Sequence, residues 1–229
     1  VLLAVSGLVL ARRVRSGPQG GGMVGRAVGN YYLYLVWLAV YVLFYRVVAA
    51  EDLPHRVDGV LATLVQLVLP ATTLWYLFAL ALFSVVLSAL HRVPPAIVLV
   101  ALGLLSVIVH TIGYPGLLWP RVPEVFFFFA LGVYGAERLR RLAEGASILR
   151  VAAFGALAAA VTAMGRFSVS RVTDSLLFVA RGTAFMVVAV VAVGLLVRWS
   201  PLRRLGSALG RQTLAVYVLH PLWIALLII

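Results

Sequence analysis

The sequence of 229 residues contains no cysteine. This excludes disulfide bonds, thiolate catalysis and metal sites with cysteine ligands. It also contains no lysine, so all 19 basic residues are arginine. Charged residues make up only 11% of the chain, whereas a soluble domain carries about 25%. The composition therefore excludes a soluble enzyme, a disordered tail and a nucleic-acid-binding domain.

Common catalytic motifs are missing as well. The sequence has no Walker A, H-E-x-x-H or G-x-S-x-G pattern, so P-loop, zincin and α/β-hydrolase chemistry lack support. Residues 20–25 (GGGMVG) formally satisfy G-x-G-x-x-G. A dinucleotide site needs that pattern between a strand and a helix, whereas here it follows an apolar stretch. We interpret it as a flexible linker.

Apolar residues fill most of the chain, at 64%, with a mean hydropathy of +1.10. A transmembrane helix needs about 20 mostly apolar residues. Such stretches lie at about 1–10, 30–50, 72–90, 95–112, 122–136, 149–164, 176–197 and 211–229. They predict an all-α, polytopic membrane helical bundle with about eight transmembrane helices, forming a single domain over residues 1–229. A further apolar piece, 60–69, is too short to span the membrane and predicts an interfacial or re-entrant segment.

The arginines are distributed unevenly between the loops. When the loops are numbered alternately, one set holds 13 arginines and the other holds 6, together with five of the seven acidic residues. The arginine-rich set comprises Arg12, Arg13, Arg15, Arg26, Arg92, Arg138, Arg140, Arg141, Arg150, Arg198, Arg203, Arg204 and Arg211. By the positive-inside rule these loops are cytoplasmic. We expect a multi-pass protein of the bacterial inner membrane. Its partner is the lipid bilayer, and we do not expect it to bind nucleic acid.

One stretch carries small residues every four positions: Ala152, Ala156 and Ala160, with Gly155, Ala159 and Ala163 beside them. Such faces let helix backbones approach closely in lipid. The pattern predicts a buried, central helix.

Ionisable residues within the apolar stretches are costly and are functional candidates by default. His110 and His220 fall inside such stretches, and Glu124 and Arg181 lie about one turn inside the outer ends of theirs. Glu124 and Arg181 could line an outward-facing polar cavity suited to a hydroxylated substrate such as a sugar. Arg46, His110 and Trp75 would complete it. Two alternatives stay open: Glu124 marks a helix N-terminus, and His110 is a neutral histidine bonded to a neighbouring helix. Two isolated histidines do not predict a metal site.

Two arginine clusters have the spacing Arg-x-x-Arg, at residues 12–15 and 138–141. Residues three apart share a helix face, and paired guanidinium groups match phosphate oxygens well. The alternative is a topology signal that also contacts lipid headgroups.

Four sequence blocks in order resemble the acyltransferase-3 membrane family. They are residues 3–10 (LAVSGLVL), which resemble F-F-x-x-S-G-x-L; 74–80 (LWYLFAL), which resemble L-W-F-L-x-x-L; 126–132 (FFFFALG), which resemble F-F-x-x-G; and 209–221 (LGRQTLAVYVLHP), which resemble L-G-x-x-S-L-x-x-Y-x-x-H. The last block is the most specific, with Thr213 in place of the usual serine.

The resemblance implies an integral-membrane O-acyltransferase. Such an enzyme moves an acyl group, commonly acetyl, from a cytoplasmic acyl-CoA-type donor to a hydroxyl of a cell-surface or exported glycan, with no bound cofactor. The family's catalytic histidine lies on a first helix that we expect upstream of Val1, so we expect the sequence as given to be inactive alone. We predict donor binding by Arg12, Arg13 and Arg15, an acceptor-side cavity with Trp75, His110, Glu124 and Arg181, and an auxiliary role for His220.

A second hypothesis is a secondary transporter or flippase-like protein that uses Glu124, Arg181 and His110 as a coupling or substrate site. Transporters often contain internal repeats and helices broken at the membrane midplane. The two halves of the sequence show no convincing repeat, and Pro70 is the only plausible break. We therefore prefer acyl transfer.

Overall fold

The structure is a computed structural model that describes residues 2–17, 23–48, 59–70, 74–113 and 121–199, with single positions at 201, 204, 206, 217 and 219. The described part contains helices joined by turns and loops and no strands, which confirms the all-α prediction. Its helices are α1 (Leu2–Arg15), α2 (Met23–Val47), α3 (Val60–Gln66), α4 (Trp75–Ala89), α5 (Pro95–Ile112), α6 (Arg121–Tyr134), α7 (Ala136–Glu144), α8 (Ile148–Gly165) and α9 (Arg171–Leu196). A short 3₁₀ turn, Leu90–Arg92, extends α4.

Five described helices are long and apolar enough to cross a membrane: Val24–Val47, Trp75–Arg92, Pro95–Ile112, Ile148–Gly165 and Arg171–Leu196. The prediction of about eight is not confirmed. Both α1 and α6 have 14 residues, which gives each a length of about 21 Å, against a hydrocarbon core of about 30 Å. The stretch 211–229 lies outside the described residues except for Tyr217 and Leu219. The predicted interfacial piece contains α3, whose seven residues are too few to span.

The centre of the bundle is the contact between α1 and α6. Gly7 of α1 lies directly against the backbone carbonyl of Phe129, and Gly132 of α6 lies against the carbonyl of Ala4, so neither position has room for a Cβ. This allows the two backbones to touch. Around the contact pack α4 and α5, which also adjoin α6, and the rings of Phe83 and Phe126 stack with centroids 4.2 Å apart.

Several of the arginine-rich segments meet at one end of the bundle, which we call the arginine end. There Gly17 packs against the His91 ring, and Arg198 donates a hydrogen bond of 2.7 Å to the Glu144 carbonyl. The cluster at 138–141, assigned from sequence to a loop, lies in α7. This helix buries Leu139 and exposes Arg138.

Helix α8 corrects one prediction. Its small residues were expected to lie in a buried, central helix, but α8 packs mainly against α9, and 6% of its apolar window is buried inside the described bundle. Ala152, Ala156 and Ala160 are exposed, whereas Ala158 is buried. A close-packing pattern permits a helix contact but does not fix which helix supplies it, and no described helix covers this face.

Helix α9 begins earlier than predicted. The Ser170 hydroxyl accepts a hydrogen bond of 3.1 Å from the backbone N–H of Thr173 and so caps the helix at its N-terminus. Asp174 therefore belongs to the first turn rather than to a loop. Arg181 was predicted about one turn inside its span, but it lies ten residues after Arg171, about 15 Å along the helix axis. Helix α9 therefore starts five residues before the apolar stretch at 176–197.

Candidate active site

Three ionisable side chains from three helices meet at the end of the bundle opposite the arginine end. We call His110, Glu124 and Asp174 the His–carboxylate cluster. His110 lies in the last turn of α5, Glu124 in the first turn of α6 and Asp174 in the first turn of α9. The Nδ1 atom of His110 lies 2.5 Å from Oε1 of Glu124, and its Nε2 atom lies 3.6 Å from Oδ2 of Asp174.

Neighbouring side chains hold this cluster in place. The Ser106 hydroxyl donates a hydrogen bond of 2.6 Å to the Glu124 carbonyl and so joins α5 to α6. The hydroxyls of Thr111 and Ser175 lie 2.8 Å apart and join α5 to α9. The Phe178 ring stacks on the His110 ring with a centroid distance of 4.4 Å. The histidine ring is therefore fixed by a carboxylate at its edge and by an aromatic ring on its face.

The contact with Glu124 determines the tautomer of a neutral His110. An ionised carboxylate only accepts hydrogen bonds, so Nδ1 of His110 donates to Glu124. The other ring nitrogen, Nε2, faces Asp174 at ion-pair distance. The distance of 3.6 Å from Nε2 to Asp174 is too long for a direct hydrogen bond. The cluster can thus hold and accept a proton in the way that a carboxylate–histidine pair does in acid–base sites.

The structure brings together part of the predicted acceptor-side cavity. His110 and Glu124 are in contact. The contact is also compatible with the two structural interpretations, because Glu124 lies at a helix N-terminus and His110 bonds to a neighbouring helix. Trp75 packs instead against the core formed by α1, α4, α5 and α6. No described carboxylate lies within ion-pair distance of Arg181.

Asp174 was not predicted as a site residue. Its spacing to Phe178 and Arg181, four and seven residues later, repeats the period of one helix face. This pattern could have identified it, but Asp174 precedes the apolar stretch at 176–197 from which the helix was predicted.

At the arginine end, the three predicted donor-binding residues differ in their contacts. Arg15 donates hydrogen bonds of 2.9 and 2.6 Å to the carbonyls of Val133 and Tyr134. These carbonyls end α6, where backbone acceptors lack helical partners and the helix dipole is negative. Arg12 and Arg13 are exposed, and neither guanidinium group forms a hydrogen bond or ion pair with a described residue. Both guanidinium groups are therefore available to a ligand.

A cavity of about 590 Å³ lies between α1, α2 and α4. Its walls are mainly apolar, and its polar groups include Ser6, Arg26, Asn30 and Tyr76. The hydroxyls of Ser6 and Tyr76 lie 2.6 Å apart. Ser6 precedes Arg15 by nine residues on α1, about 14 Å along the axis. The volume falls in the range of small-molecule sites, about 300–1,000 Å³.

His220 and most of the block at 209–221 lie outside the described residues; of that block, Tyr217 lines the cavity and its ring lies 5.1 Å from that of Tyr76. Within the described part of the chain, no group of three or more His, Asp or Glu side chains has the geometry to hold a metal ion.

Comparison with known families gives one match. The model of the acyltransferase-3 family, described as an acyltransferase domain, matches residues 1–228. Comparisons with curated proteins and with solved structures find no match. The family match covers nearly the whole chain, including the helices that form the cavity and the His–carboxylate cluster.

Proposed function

The chain belongs to the acyltransferase-3 family, and from this premise we propose that it transfers an acyl group from an acyl-CoA-type donor on the cytoplasmic side to a hydroxyl of an exported or cell-surface carbohydrate. Family membership and the apolar helices make it a membrane acyltransferase. The donor, the acyl group (acetyl in our proposal), the acceptor and the inner-membrane location are the parts that we propose. We also propose that residues 1–229 form one domain.

The observation that carries this proposal is the cavity between α1, α2 and α4. An acyl thioester has an anionic phosphate end and an apolar acyl end. The cavity has mainly apolar walls, and α1 connects it to Arg12 and Arg13 at the arginine end. A donor whose phosphates bind the exposed arginines can extend its thioester arm along α1 into the cavity. Guanidinium groups are well suited to such phosphate contacts.

The reaction needs little from the cavity beyond position and polarity. The oxygen of the acceptor hydroxyl attacks the thioester carbonyl carbon, a C–O bond forms, the C–S bond breaks, and the hydroxyl proton ends on the CoA sulfur. Negative charge develops on the carbonyl oxygen, where fixed donors lower the barrier most. The hydroxyls of Ser6 and Tyr76 bond to each other, and Ser6 also contacts the Leu2 carbonyl, so at most one of their two hydrogens can be donated to this oxygen. We propose His220 as an auxiliary group for the proton transfer.

A substitution that fills the cavity tests the proposal. In Leu80→Trp, a larger side chain enters the cavity, of which Leu80 is a wall. We expect the release of CoA thiol by the full-length protein in membranes to fall at least tenfold. The sequence has no cysteine, so it contributes no thiol background to the assay.

The matched control is Val85→Trp, on the same helix but 47% exposed and outside this cavity. It adds comparable bulk and should leave thiol release near the wild-type rate. Equal activity of Leu80→Trp and wild type, with both correctly inserted, would contradict the assignment of the cavity to the donor. Ion-coupled flux of a sugar without thiol release would favour the transporter hypothesis instead.

A further inference from the structure

Two exposed arginines from different helices meet at the last carbonyls of α7. Arg150, in the first turn of α8, donates a hydrogen bond of 2.5 Å to the Gly145 carbonyl. Arg198, just after α9, donates one of 2.7 Å to the Glu144 carbonyl. Because these two carbonyls are consecutive, the guanidinium groups are held close together, and we call them the arginine pair. Each group carries five N–H donors and uses one of them on a described residue, so the pair keeps donors for a further acceptor.

The arginine pair lies where two membrane spans end. The span in α8 begins at Ile148 and the span in α9 ends at Leu196, so each arginine is two residues outside its span. This is the level of the lipid headgroups, where tryptophan is enriched. The side chains beside the pair are apolar but uncovered: Ile148, Leu149 and Trp199 are 77%, 79% and 69% exposed. A small anion from water would leave them uncovered, whereas a ligand with both a phosphate and acyl chains would cover them.

We propose that the arginine pair binds the phosphate of an anionic phospholipid from the adjoining leaflet, with its acyl chains against Ile148, Leu149 and Trp199. Paired guanidinium groups match phosphate oxygens well, and basic pockets between membrane helices bind anionic headgroups. The α7 carbonyls hold both side chains in place before the lipid arrives, so less freedom is lost on binding. Lipid binding rests on these contacts and is independent of the acyl transfer proposed above.

The charges around the pair favour an anionic lipid over a zwitterionic one. Residues 136–150 contain four arginines and two acids. One of the acids, Glu137, is already paired with Arg141 at 3.2 Å, and Arg198 adds a further positive charge. The ammonium group of a zwitterionic headgroup would be repelled by this excess. Phosphatidylglycerol has the phosphate without the ammonium group and is therefore the lipid that fits the site.

Quenching of tryptophan fluorescence by brominated lipids tests the proposal. The full-length protein is reconstituted into phosphatidylcholine vesicles that contain a small fraction of either phosphatidylglycerol or phosphatidylcholine with brominated acyl chains. The sequence has five tryptophans, so the signal of Trp199 is the difference between the wild type and Trp199→Phe. We expect phosphatidylglycerol to bind beside Trp199 more strongly than phosphatidylcholine by on the order of tenfold, because each arginine strengthens contact with anionic lipid several-fold. Equal quenching by the two lipids would overturn the proposal.

A double variant, Arg150→Gln with Arg198→Gln, tests whether the pair is responsible. It should reduce the binding of phosphatidylglycerol beside Trp199 to the level of phosphatidylcholine. The matched control is Arg166→Gln, which removes an exposed arginine at the other end of α8 and should keep the wild-type preference. Equal loss of preference in both variants would mean that general surface charge attracts the lipid, and the assignment to the pair would be wrong.

Two measurements on the wild type do not depend on how well the double variant folds. Raising the salt concentration should weaken the preference for phosphatidylglycerol, since exposed charges are screened; a preference that salt leaves unchanged would contradict binding through the arginines. Millimolar inorganic phosphate should leave the quenching unchanged, because it has no acyl chains to contact the apolar side chains. If inorganic phosphate abolished the preference, the pair would be a site for a free anion rather than for a lipid.

Discussion

Arg12 and Arg15 share one motif but differ in their contacts. The spacing Arg-x-x-Arg places both on one face of α1 and predicts that they bind phosphate as a pair. In the structure, Arg15 binds the last carbonyls of α6 through two hydrogen bonds, whereas Arg12 is exposed. Arg15 therefore joins two helices as well as adding charge, and Arg12 adds charge alone.

This difference predicts two distinct phenotypes. Arg12→Ala should lower thiol release at least tenfold by weakening donor binding, with no change in thermal stability, because the exposed side chain forms no hydrogen bond or ion pair with a described residue. Arg15→Ala should in addition destabilise the protein by about 1–2 kcal/mol, since it leaves helix-terminal carbonyls without their cationic partner. Thermal unfolding in detergent, followed alongside thiol release, separates the two effects. Equal losses of stability in both variants would contradict the contacts described for Arg15.

Two of the three residues of the His–carboxylate cluster could be predicted from the sequence. His110 and Glu124 stand out because ionisable groups are rare in apolar stretches. Asp174 does not, because it lies among the polar residues that begin α9, and hydropathy alone cannot tell a polar first turn from a loop. The contact between α5, α6 and α9 that joins the three also depends on tertiary packing, which the spacing within one segment does not encode.

At the scale of the helices, the glycines at the contact between α1 and α6 determine how closely the two backbones approach. A Cβ at Gly132 would overlap the Ala4 carbonyl, which is backbone and cannot move aside alone. Gly132→Ala should therefore push α1 away from α6 and destabilise the protein by about 1–3 kcal/mol, the cost typical of overpacking. The measurement is the midpoint of thermal unfolding in detergent.

The matched control is Gly25→Ala in α2. Gly25 has no atom within 4 Å of an added Cβ, and alanine forms helices better than glycine by about 1 kcal/mol. This variant should be as stable as the wild type or more so. The contact between α1 and α6 would be misassigned if both substitutions shifted the midpoint equally.

The small residues of α8 illustrate why a pattern within one helix does not determine its environment. Their spacing was correctly detected, and it is typical of helices that pack closely in lipid. Yet Ala152 and Ala156 are exposed, and nothing lies within 4 Å of an added Cβ at Gly155. Small side chains permit close approach, but burial also requires a second helix, and the order of helices in a bundle is set by the whole set of contacts.

At the scale of the whole molecule, composition predicts the class of fold better than the number of spans. An apolar share of 64% and regular apolar stretches are sufficient to predict a helical membrane bundle. The number of membrane spans is harder to predict, because α1 and α6 have only 14 residues each and are shorter than a typical span. Their sequences are as apolar as those of longer helices, so hydropathy does not reveal the difference.

The orientation of the whole bundle in the membrane is the last prediction. Glu144 and Val169 are exposed positions just before and just after α8, so they lie at opposite ends of the bundle. The chain has no cysteine, and therefore Glu144→Cys and Val169→Cys each introduce one thiol. In intact cells, a membrane-impermeant maleimide should label Val169→Cys, whereas Glu144→Cys should react only after the membrane is opened.

The expected result follows from the charge at the two ends. Arginine-rich segments stay on the cytoplasmic side, and Glu144 ends the helix that carries Arg138, Arg140 and Arg141. Labelling of Glu144→Cys but not Val169→Cys in intact cells would show the opposite orientation. It would place the exposed arginines Arg12 and Arg13 outside, where cytoplasmic acyl-CoA cannot reach them, and would turn the His–carboxylate cluster toward the cytoplasm. Both the donor and the acceptor assignments would then fail together, so this experiment tests the assumption that they share.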